Sequence, residues 1–346
     1  MELLSPDTLP ARIEDEAALE ELLSRPSAGL LDDLRHIDGD VLILGIGGKI
    51  GPTLARMLKR AAPGKRVVGV ARFSDPALKA RLEGWGIGTL PADLLDREAV
   101  QRLPRLPNVI FMAGRKFGTT EEPPFAWAMN TYVPALVADT FRTSRIVAYS
   151  TLCVYPFAPA PGAGWDEAVP PAPPGEYANS CVGRERIFQY FSGRHGNPGR
   201  QVRLNYAIDL RYGIVHDVAR WVLEGRPVPL EMGYANLIWQ GDANDHILRS
   251  LRHCTAPASP LNIGGGANTS IRELALAAGR RLGREPAFQG REAPDAWINS
   301  TAEACRLFGP PQVPLERMLD WVCDWMQHGG PQHGKPTCYE RRDGRF

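Results

Sequence analysis

The stretch from residue 40 to residue 51, DVLILGIGGKIG, constrains the fold of this chain more than any other. An aliphatic run at residues 41–44 predicts a buried strand, and residues 52–60 continue with the spacing of a helix. Between them lie Gly45, Gly48 and Gly51. Because glycine has no Cβ atom, such a turn lets a pyrophosphate approach the backbone and the free N–H groups of the helix start. The stretch therefore predicts a cradle for a nucleotide diphosphate, and the alternative is a glycine-rich connection without a ligand.

Strand and helix patterns alternate regularly beyond this turn. The predicted strands cover residues 41–44, 66–70, 86–90, 108–112 and 145–150, and the predicted helices cover 52–61, 76–82, 96–103 and 125–141. Such alternation is typical of an α/β fold in which a doubly wound parallel sheet of the Rossmann type carries helices on both faces. Ligands of these sheets bind where the strands end, so the informative residues are expected in the loops after the strands.

The chain is predicted to divide into four segments. Residues 1–38 form a helical extension that packs on the domain edge or on a partner subunit. Residues 39–200 form the dinucleotide-binding domain, and residues 201–328 form a smaller C-terminal α/β substrate lobe that is partly interleaved with the sheet. The polar tail at residues 329–346 is expected to be ordered only where it contacts another chain.

Composition narrows the class of partner. With 40 basic and 39 acidic residues among 346, the net charge of +1 creates no field that would attract nucleic acid or an anionic membrane. The six cysteines lack the spacing of a metal site, which favours reduced thiols. The N-terminus has acidic residues where a signal peptide needs basic ones. We therefore expect a cytoplasmic protein with a small-molecule substrate and with no metal, nucleic acid or membrane partner.

Residues after the second and third strands bear on the choice of cofactor. Arg72 occupies the place where folds that bind NAD usually carry an acidic residue for the ribose hydroxyls. A guanidinium pairs instead with a 2′-phosphate, which favours NADP(H) over a possible NAD(H), and the alternative is a solvated surface arginine. Asp93 is placed either to hydrogen-bond an adenine amine or to cap the helix near Asp96. The turn supplies the other cofactor candidates: Gly45, Gly47, Gly48, Lys49, Ile50 and Gly51.

The loop after the fourth predicted strand reads Ala113-Gly114-Arg115-Lys116. Ala113 and Gly114 allow the backbone to run close to the cofactor. Arg115 and Lys116 place two positive charges near the expected site, where they suit an anionic substrate or the cofactor phosphates. The alternative is that both side chains are only solvated.

A second group of polar residues follows the fifth predicted strand, where Thr151 precedes the pair Val154-Tyr155. After a proline-rich loop at residues 156–174, Tyr177 lies in a predicted helix. Together with the glycine turn, these residues resemble the extended short-chain dehydrogenases/reductases, the NAD-dependent epimerase/dehydratase family. The pattern of that family is a GxxGxxG turn, a Ser or Thr about three residues before Val-Tyr, and a YxxxK helix. The resemblance spans roughly residues 40–327.

The resemblance implies a catalytic pair. In that family the Ser/Thr and Tyr hydroxyls bracket the reacting oxygen, the Tyr exchanges a proton, and hydride moves to or from the nicotinamide; Thr151 and Tyr177 match these positions. The family's lysine binds the nicotinamide ribose and lowers the pKa of the phenol, but this chain has Cys181 in its place. Arg184 or Lys116 would have to supply the missing positive charge. The alternative for Tyr177 is an aromatic residue packed under the long loop.

The resemblance also implies that the C-terminal lobe contacts the substrate. Many relatives act on nucleotide sugars. Arg and Asn side chains could hold the diphosphate of such a substrate. For Arg211, pairing with Asp209 or Asp217 is the alternative. The substrate candidates are Arg115, Lys116, Tyr155, Asn205 and Arg211.

Two classes of function stay open at this point. The first is an NAD(P)-dependent oxidoreductase, epimerase or dehydratase that acts on a hydroxyl or carbonyl carbon of a sugar, nucleotide sugar or similar small molecule, with an atypical catalytic triad. The second is a catalytically silent NADP(H)-binding sensor or partner protein, in which Cys181 is merely a small buried residue. A reactive Cys181 thiol is a third possibility. The resemblance further implies a homodimer formed through a pair of helices.

Overall fold

A computed structural model describes residues 2–335 and 337–345 of the chain. Its helices are α1 (Glu16–Leu23), α2 (Ala28–Arg35), α3 (Gly51–Ala61), α4 (Pro76–Gly84), α5 (Arg97–Arg102), α6 (Pro123–Trp127), α7 (Val133–Thr140), α8 (Glu176–His195), α9 (Ile214–Leu223), α10 (Gln240–Arg249), α11 (Ile271–Leu282), α12 (Ala302–Phe308) and α13 (Leu315–Gln327). Its strands are β1 (Val41–Leu44), β2 (Val67–Ala71), β3 (Gly88–Pro91), β4 (Asn108–Phe111), β5 (Arg145–Thr151), β6 (Ala158–Pro159), β7 (Gly199–Leu204), β8 (Tyr206–Ile208), β9 (Val228–Pro229), β10 (Tyr234–Trp239), β11 (Ser259–Ile263), β12 (Asn268–Ser270), β13 (Phe288–Gln289) and β14 (Asp295–Ala296).

A seven-stranded sheet organises the molecule, with strand order β11-β7-β5-β4-β1-β2-β3. Every pair of neighbours in it is parallel, which confirms the predicted doubly wound α/β fold. The predicted helix at residues 125–141 is broken into α6 and α7 by a π-helical segment, Ala128–Tyr132. Because β1 lies between β4 and β2, the glycine turn leaves the sheet near its centre.

The alternating side chains of β1 explain why helices cover both faces of the sheet. Leu42 and Leu44 pack into a hydrophobic cluster with residues of α5, α7 and α8. Val41 and Ile43 point to the opposite face, where they join a cluster with residues of α2, α3 and α10. All four side chains are fully buried, as expected for a strand without polar residues.

The C-terminal lobe is built on a three-stranded sheet in which β10 lies between β8 and β12. The chain leaves the large sheet after β7, enters the lobe at β8, and returns at β11 to pair with β7. Residues of α9, α11 and α13 form the hydrophobic core of the lobe. The lobe is therefore interleaved with the large sheet and lies next to the ends of its strands.

Both segments outside the predicted domains pack on their own chain. In the N-terminal extension, the backbone N–H and hydroxyl of Ser27 donate to the Asp245 carboxylate at 2.9 and 3.0 Å, and Glu21 pairs with Arg60 at 2.7 Å. We call residues 329–335 and 337–345 the C-terminal strap. Thr337 and Tyr339 of the strap are each only 1% exposed, so the prediction that this segment is ordered only against another chain is wrong. No helix within the described residues combines the length and the apolar character needed to cross a membrane.

Candidate active site

The glycine turn follows β1 directly and leads into α3. Gly45 has φ +90°, and a Cβ atom there would lie 2.6 Å from the Ala113 backbone nitrogen. A Cβ atom on Gly51 would lie 2.2 Å from the Ile46 carbonyl oxygen, whereas one on Gly48 would come no closer than 3.8 Å to any other atom. The fold itself therefore requires glycine at the first and third positions. At Gly48 the missing Cβ leaves the backbone open, as the approach of a pyrophosphate needs.

The start of α3 adds N–H donors to this turn. No side chain caps the helix at Ile50, so the donors of the first turn keep their capacity for a ligand. They also form the positive end of the helix dipole, which favours an anion. The turn and the helix start together fit the phosphates of a dinucleotide.

Arg72 and Asp93 lie where the strand pattern placed them. Arg72 is exposed immediately after β2. Asp93 is exposed after β3, and its carboxylate accepts a hydrogen bond from the Leu95 backbone nitrogen at 3.0 Å. The cap of α5 is Asp96, whose carboxylate accepts from the nitrogens of Glu98 and Ala99. The interpretation of Asp93 as the helix cap is therefore wrong.

A cavity of about 270 Å³ opens beside the glycine turn, between the strand ends and the C-terminal lobe. On the side of the turn and the sheet it is lined by Ile50, Met112, Gly114, Arg115, Lys116, Tyr149, Ser150 and Thr151. On the opposite side it is lined by Tyr177, Arg184, Leu204, Asn205, Tyr206, Tyr212, Gly213 and Thr337, together with other residues of the same loops.

Thr151 and Tyr177 meet in this cavity. Thr151 is the last residue of β5, and Tyr177 is the second residue of α8. Both side chains line the cavity, and the Thr151 hydroxyl is close enough to the Tyr177 phenol to lower its pKa. Two hydroxyls that lie far apart in the sequence are thereby brought to one point beside the glycine turn.

The surroundings of Tyr177 keep its phenol protonated. Burial raises its pKa well above the usual value near 10, and the nearby thiols of Cys181 and Cys153 act in the same direction. Arg184 opposes these effects by its positive charge. The phenol is thus a proton donor in this environment, and a further positive charge is needed to make it a base at neutral pH.

Cys181 is a buried residue with no exposed surface. It packs in a small cluster with Val154 and Tyr155, and its thiol is in hydrogen-bonding contact with the phenol of Tyr177. Burial raises the pKa of the Cys181 thiol, so this environment disfavours the thiolate. The hypothesis of a reactive Cys181 is therefore not supported by its surroundings.

Arg184 lies on α8, two turns beyond Tyr177, and is 6% exposed. Its guanidinium donates to the Tyr149 carbonyl oxygen at 2.9 Å and to Asn130 Oδ1 at 2.6 Å. A Cβ atom on Gly114 would lie 2.6 Å from Arg184 Nη2. A fixed positive charge therefore lies directly against the glycine after β4, at the edge of the cavity.

Lys116 and Lys49 bring further positive charge to the cavity. Lys116 Nζ lies 3.5 Å from the Thr337 carbonyl oxygen, and burial lowers its pKa. Lys49 reaches from the glycine turn to the ring of Tyr212, with Nζ 3.0 Å from the ring centroid. Burial lowers the pKa of Lys49 to about 8, and the charges of Lys335 and Lys116 contribute to this shift.

Two predicted substrate contacts have internal partners instead. The Tyr155 hydroxyl accepts a hydrogen bond from Arg203 at 2.6 Å and donates to Asn262 at 2.9 Å, in a buried network away from the cavity. Arg211 forms a bidentate pair with Asp209 at 3.0 and 2.7 Å, which is the pairing named as its alternative. Neither side chain lines the cavity, because each satisfies a neighbouring polar group in the lobe.

Several polar atoms at the cavity wall lack a partner. Asn205 donates to the Ile263 carbonyl oxygen at 3.0 Å, but its Oδ1 atom has no partner within the described residues. The same holds for the hydroxyls of Tyr149 and Tyr206. No sequence pattern marks Tyr149, Tyr212 or Thr337 as wall residues, because each lies outside the family motifs. Within residues 2–335 and 337–345, no cluster of three or more His, Cys, Asp or Glu residues is arranged to hold a metal ion.

Residues 41–207, from β1 to β8, match the model of the NAD dependent epimerase/dehydratase family. The region from β1 to β8 is therefore similar to members of this family. None of the curated protein sequences matches this chain. The matched region contains the glycine turn, Thr151 and Tyr177.

Solved structures with the same fold include several members of this family. The UDP-glucose 4-epimerase of Thermus thermophilus, solved with NAD, is 20% identical over 84% of this chain and 99% of its own, with a TM-score of 0.68. DesIV, a dTDP-glucose 4,6-dehydratase from Streptomyces venezuelae solved with NAD and TYD, is 19% identical over 84% and 97%, with a TM-score of 0.71. The dTDP-glucose 4,6-dehydratase of Bacillus anthracis is 15% identical over 84% and 97%, also with a TM-score of 0.71. At these identities the likeness establishes the fold.

Proposed function

We propose that this protein is a member of the family and that it is an NAD(P)-dependent oxidoreductase, epimerase or dehydratase that acts on a hydroxyl or carbonyl carbon of a sugar-like small molecule. The observation that carries the proposal is the contact between Thr151 and Tyr177 in a cavity that begins at the glycine turn. The structural relatives, which include enzymes solved with NAD, support the same class.

In this proposal each side chain acts at a stated atom. Thr151 orients the reacting oxygen through its hydroxyl, and Tyr177 exchanges a proton with that oxygen. Gly48 and the first turn of α3 hold the cofactor phosphates, and Ala113 and Gly114 lie along its path. When bound, the nicotinamide cofactor supplies hydride exchange.

We further propose that Arg184 takes over the electrostatic role of the lysine that the family carries at the position of Cys181. Its charge lowers the pKa of Tyr177, and its guanidinium lies against Gly114. Two hydrogen bonds, to Tyr149 and Asn130, fix it in place. Lys116 is the second candidate, but its amine lies near the strap on the substrate side.

Arg72 supports a preference for NADP(H). It is exposed at the end of β2, where a 2′-phosphate on the adenosine ribose would lie in this fold. An exposed guanidinium can pair with that phosphate but cannot accept a hydrogen bond from a ribose hydroxyl.

A catalytically silent NADP(H)-binding protein is the second candidate, and one observation favours it. The buried thiol of Cys181 stands at the lysine position, and the pKa of Tyr177 is raised, not lowered. Such a protein would bind cofactor and respond to it without turnover.

We also propose a homodimer formed through the helices around α8. Large aromatic side chains are exposed there: Phe125 at 37%, Trp127 at 39%, Tyr132 at 44% and Tyr190 at 57%. Burial of such side chains in a partner would be favourable. Light scattering should show a dimer for the native chain and a monomer for Tyr190→Lys.

Replacing Tyr177 with phenylalanine tests the proposed function. We expect Tyr177→Phe to reduce kcat by about 10²–10⁴-fold, because the proton donor is lost, while cofactor affinity measured by fluorescence titration is retained. A panel of sugars and sugar derivatives, followed through nicotinamide absorbance or product analysis, provides the activity. Unchanged turnover in Tyr177→Phe would exclude Tyr177 from the mechanism, and cofactor binding without turnover in the native protein would favour the silent binder.

A further inference from the structure

We propose that the cavity takes a small, unconjugated, anionic polyhydroxy compound, such as a sugar acid or sugar phosphate, and that the C-terminal strap excludes nucleotide-linked sugars. This inference deepens the proposed function and rests on it for the position of the reacting carbon. It concerns the wall of the cavity opposite the glycine turn.

The strap forms this wall through Thr337. The backbone nitrogen and the hydroxyl of Thr337 both donate to Asp217 Oδ2, at 2.8 and 2.7 Å. Asp217 lies on α9 of the lobe and is 2% exposed. Two charge-assisted hydrogen bonds to a buried carboxylate hold this part of the strap in one position.

Protein atoms fill the space behind Thr337. Tyr339 is 1% exposed and its ring packs against Trp221 of α9, with the ring centroids 5.9 Å apart. Further along the strap, Arg342 lies over the ring of Phe157 at 4.1 Å and pairs with the Asp295 carboxylate. The cavity therefore ends at the strap and does not continue along α9, so a nucleotide could extend in this direction only by displacing buried side chains.

The end of the strap meets the helix that carries Tyr177. A Cβ atom on Gly175, the residue before α8, would lie 2.5 Å from the Gly344 carbonyl oxygen. Both glycines have positive φ values, +80° and +71°, which suit this close approach of two backbones. The strap is thus fixed both on the lobe and beside the start of the helix that carries Tyr177.

The size of the cavity agrees with a small substrate. Its volume of about 270 Å³ lies below the roughly 300–1,000 Å³ of sites for drug-sized ligands. Ile50 of the glycine turn and Gly114 belong to its lining, so the reactive end of the cofactor takes part of this volume. The remainder holds one sugar-sized molecule, and the strap limits its extension on the side of Thr337.

Positive charge reaches the cavity from two separate segments. Lys116, from the loop after β4, lines the cavity, and Lys49, from the glycine turn, lies against the ring of the wall residue Tyr212. The carboxylate of Asp209 is paired with Arg211, whereas that of Asp217 accepts only from the neutral groups of Thr337 at this wall and offsets part of the lysine charge. An anionic group on the substrate would balance this charge.

Three residues of the wall carry polar atoms without a partner in the described part of the chain: Asn205 Oδ1 and the hydroxyls of Tyr149 and Tyr206. Asn205 and Tyr149 are only 5% and 8% exposed. Buried polar groups are costly to leave unpaired. None of these atoms exposes surface to the cavity, so a polyhydroxy ligand would pair with them only after the side chains turn toward it.

Calorimetric titration of the full chain, saturated with NADP⁺ or NAD⁺, tests this inference. The probes are C4–C6 aldonates and uronates, the corresponding sugar phosphates, the neutral sugars, and UDP-glucose with UDP-glucuronate. We expect at least one acid or phosphate to bind 10-fold more tightly than its neutral sugar and 100-fold more tightly than either nucleotide sugar. Comparison of the carboxylate and phosphate series identifies the anionic group. Equal or tighter binding of a nucleotide sugar overturns the inference, as does the absence of binding by every acid and phosphate.

Two variants sharpen the test. Lys116→Gln should weaken binding of the anionic ligand at least 10-fold without changing cofactor affinity, whereas Lys79→Gln, at an exposed lysine of α4, should change neither. Tyr339→Ala should loosen the strap and narrow the 100-fold discrimination against nucleotide sugars. Thr337→Ala tests the same point if Tyr339→Ala does not fold. Unchanged ligand affinity in Lys116→Gln overturns the role of the positive charge.

Failure of this inference can be separated from failure of the proposed function. Hydride exchange with nucleotide sugars alone would overturn the inference and leave the oxidoreductase or epimerase assignment intact. Tight binding of an acid without any hydride exchange would support the inference about the ligand and overturn the proposed enzymatic function.

Discussion

The two sides of the cavity are built in different ways. The cofactor side consists mainly of backbone from one continuous stretch, in which Gly45 and Gly51 satisfy the fold and Gly48 leaves room for a ligand. The substrate side consists of side chains from β5, α8, the lobe and the strap, which are remote in sequence. Local sequence therefore specifies the proposed cofactor cradle, whereas the proposed substrate wall depends on how distant segments pack.

The largest effects are expected from replacing glycines on the cofactor side. One replacement there should affect mainly the stability of the fold, and another should affect mainly ligand binding. Gly51→Ala would place a Cβ atom 2.2 Å from the Ile46 carbonyl oxygen, and should lower the free energy of unfolding by about 3 kcal/mol. Gly48→Ala has no such contact and should stay within about 1 kcal/mol of the native protein, but bind cofactor at least 10-fold more weakly. Urea denaturation and fluorescence titration measure the two quantities. If Gly48→Ala binds the cofactor as tightly as the native protein does, the proposal that the glycine turn holds the cofactor phosphates is wrong.

Arg184 links the two sides, and its replacement should affect both stability and catalysis. Arg184→Met leaves the Tyr149 carbonyl oxygen without this donor and removes one of the two donors to Asn130 Oδ1, and should cost about 2–3 kcal/mol of stability. Because the charge of Arg184 lowers the pKa of Tyr177, the basic limb of the pH–activity profile should move to higher pH in this variant.

Arg184→Lys is the matched control for that experiment. It keeps the positive charge and should leave the pH profile close to that of the native protein, even if some stability is lost. If Arg184→Met retains the native profile, the guanidinium has only a structural role.

Replacement of Arg72 should have a smaller effect that is confined to one cofactor. Arg72→Ala should weaken NADPH binding by about 10–30-fold, equivalent to about 2 kcal/mol, because a charge-assisted pair with the 2′-phosphate is lost. NADH affinity should change little, and titration of both cofactors measures the ratio. Equal losses for NADPH and NADH would contradict the proposed preference.

The smallest effect on the cavity itself is expected from Asp242, which lies away from it and serves as a reference for the stability of the scaffold. Burial raises the pKa of Asp242 to about 7, although the backbone nitrogens of Gln312 and Val313 donate to its carboxylate at 2.8 and 3.0 Å. The folded state therefore binds this proton more tightly than the unfolded state, whose Asp pKa is about 3.9. The resulting stabilisation is complete below about pH 4 and is lost as the pH rises through 7.

Asp242→Asn should remove this part of the pH dependence. Between pH 5 and pH 8 the free energy of unfolding of the native chain should fall by about 2–3 kcal/mol more than that of the variant. Asp245, whose pKa is raised to about 6, contributes in both proteins and cancels in the comparison. Identical slopes in urea denaturation across this range would show that the carboxyl does not titrate there.

Sequence patterns predicted the fold well because they report local backbone preferences. β1 and β4 were predicted to within one residue, since aliphatic runs next to glycine or polar turns have few alternatives. The meeting of Thr151 and Tyr177 was also expected, but only from the resemblance to a family. Residue spacing alone does not indicate that the two hydroxyls come into contact.

The substrate side was predicted less well, for a physical reason. Tyr155 and Arg211 have the chemistry of ligand contacts, but the fold gives them internal partners in Arg203 and Asp209. Thr337 has no distinctive neighbours in sequence and becomes a wall residue only because Asp217 binds it. Such pairings depend on tertiary packing, which a short polar segment does not reveal.

The π-helical segment Ala128–Tyr132 makes this region sensitive to insertions and deletions. It carries Asn130, which is fully buried and donates to Arg115 and Ser180 while it accepts from Arg184. Removal of one residue between α6 and α7 would allow an uninterrupted α-helix, but it would rotate α7 by about 100° relative to α6. Asn130 would then no longer face Arg184. The number of residues in this helical segment is therefore as important for the site as the identity of Asn130 itself.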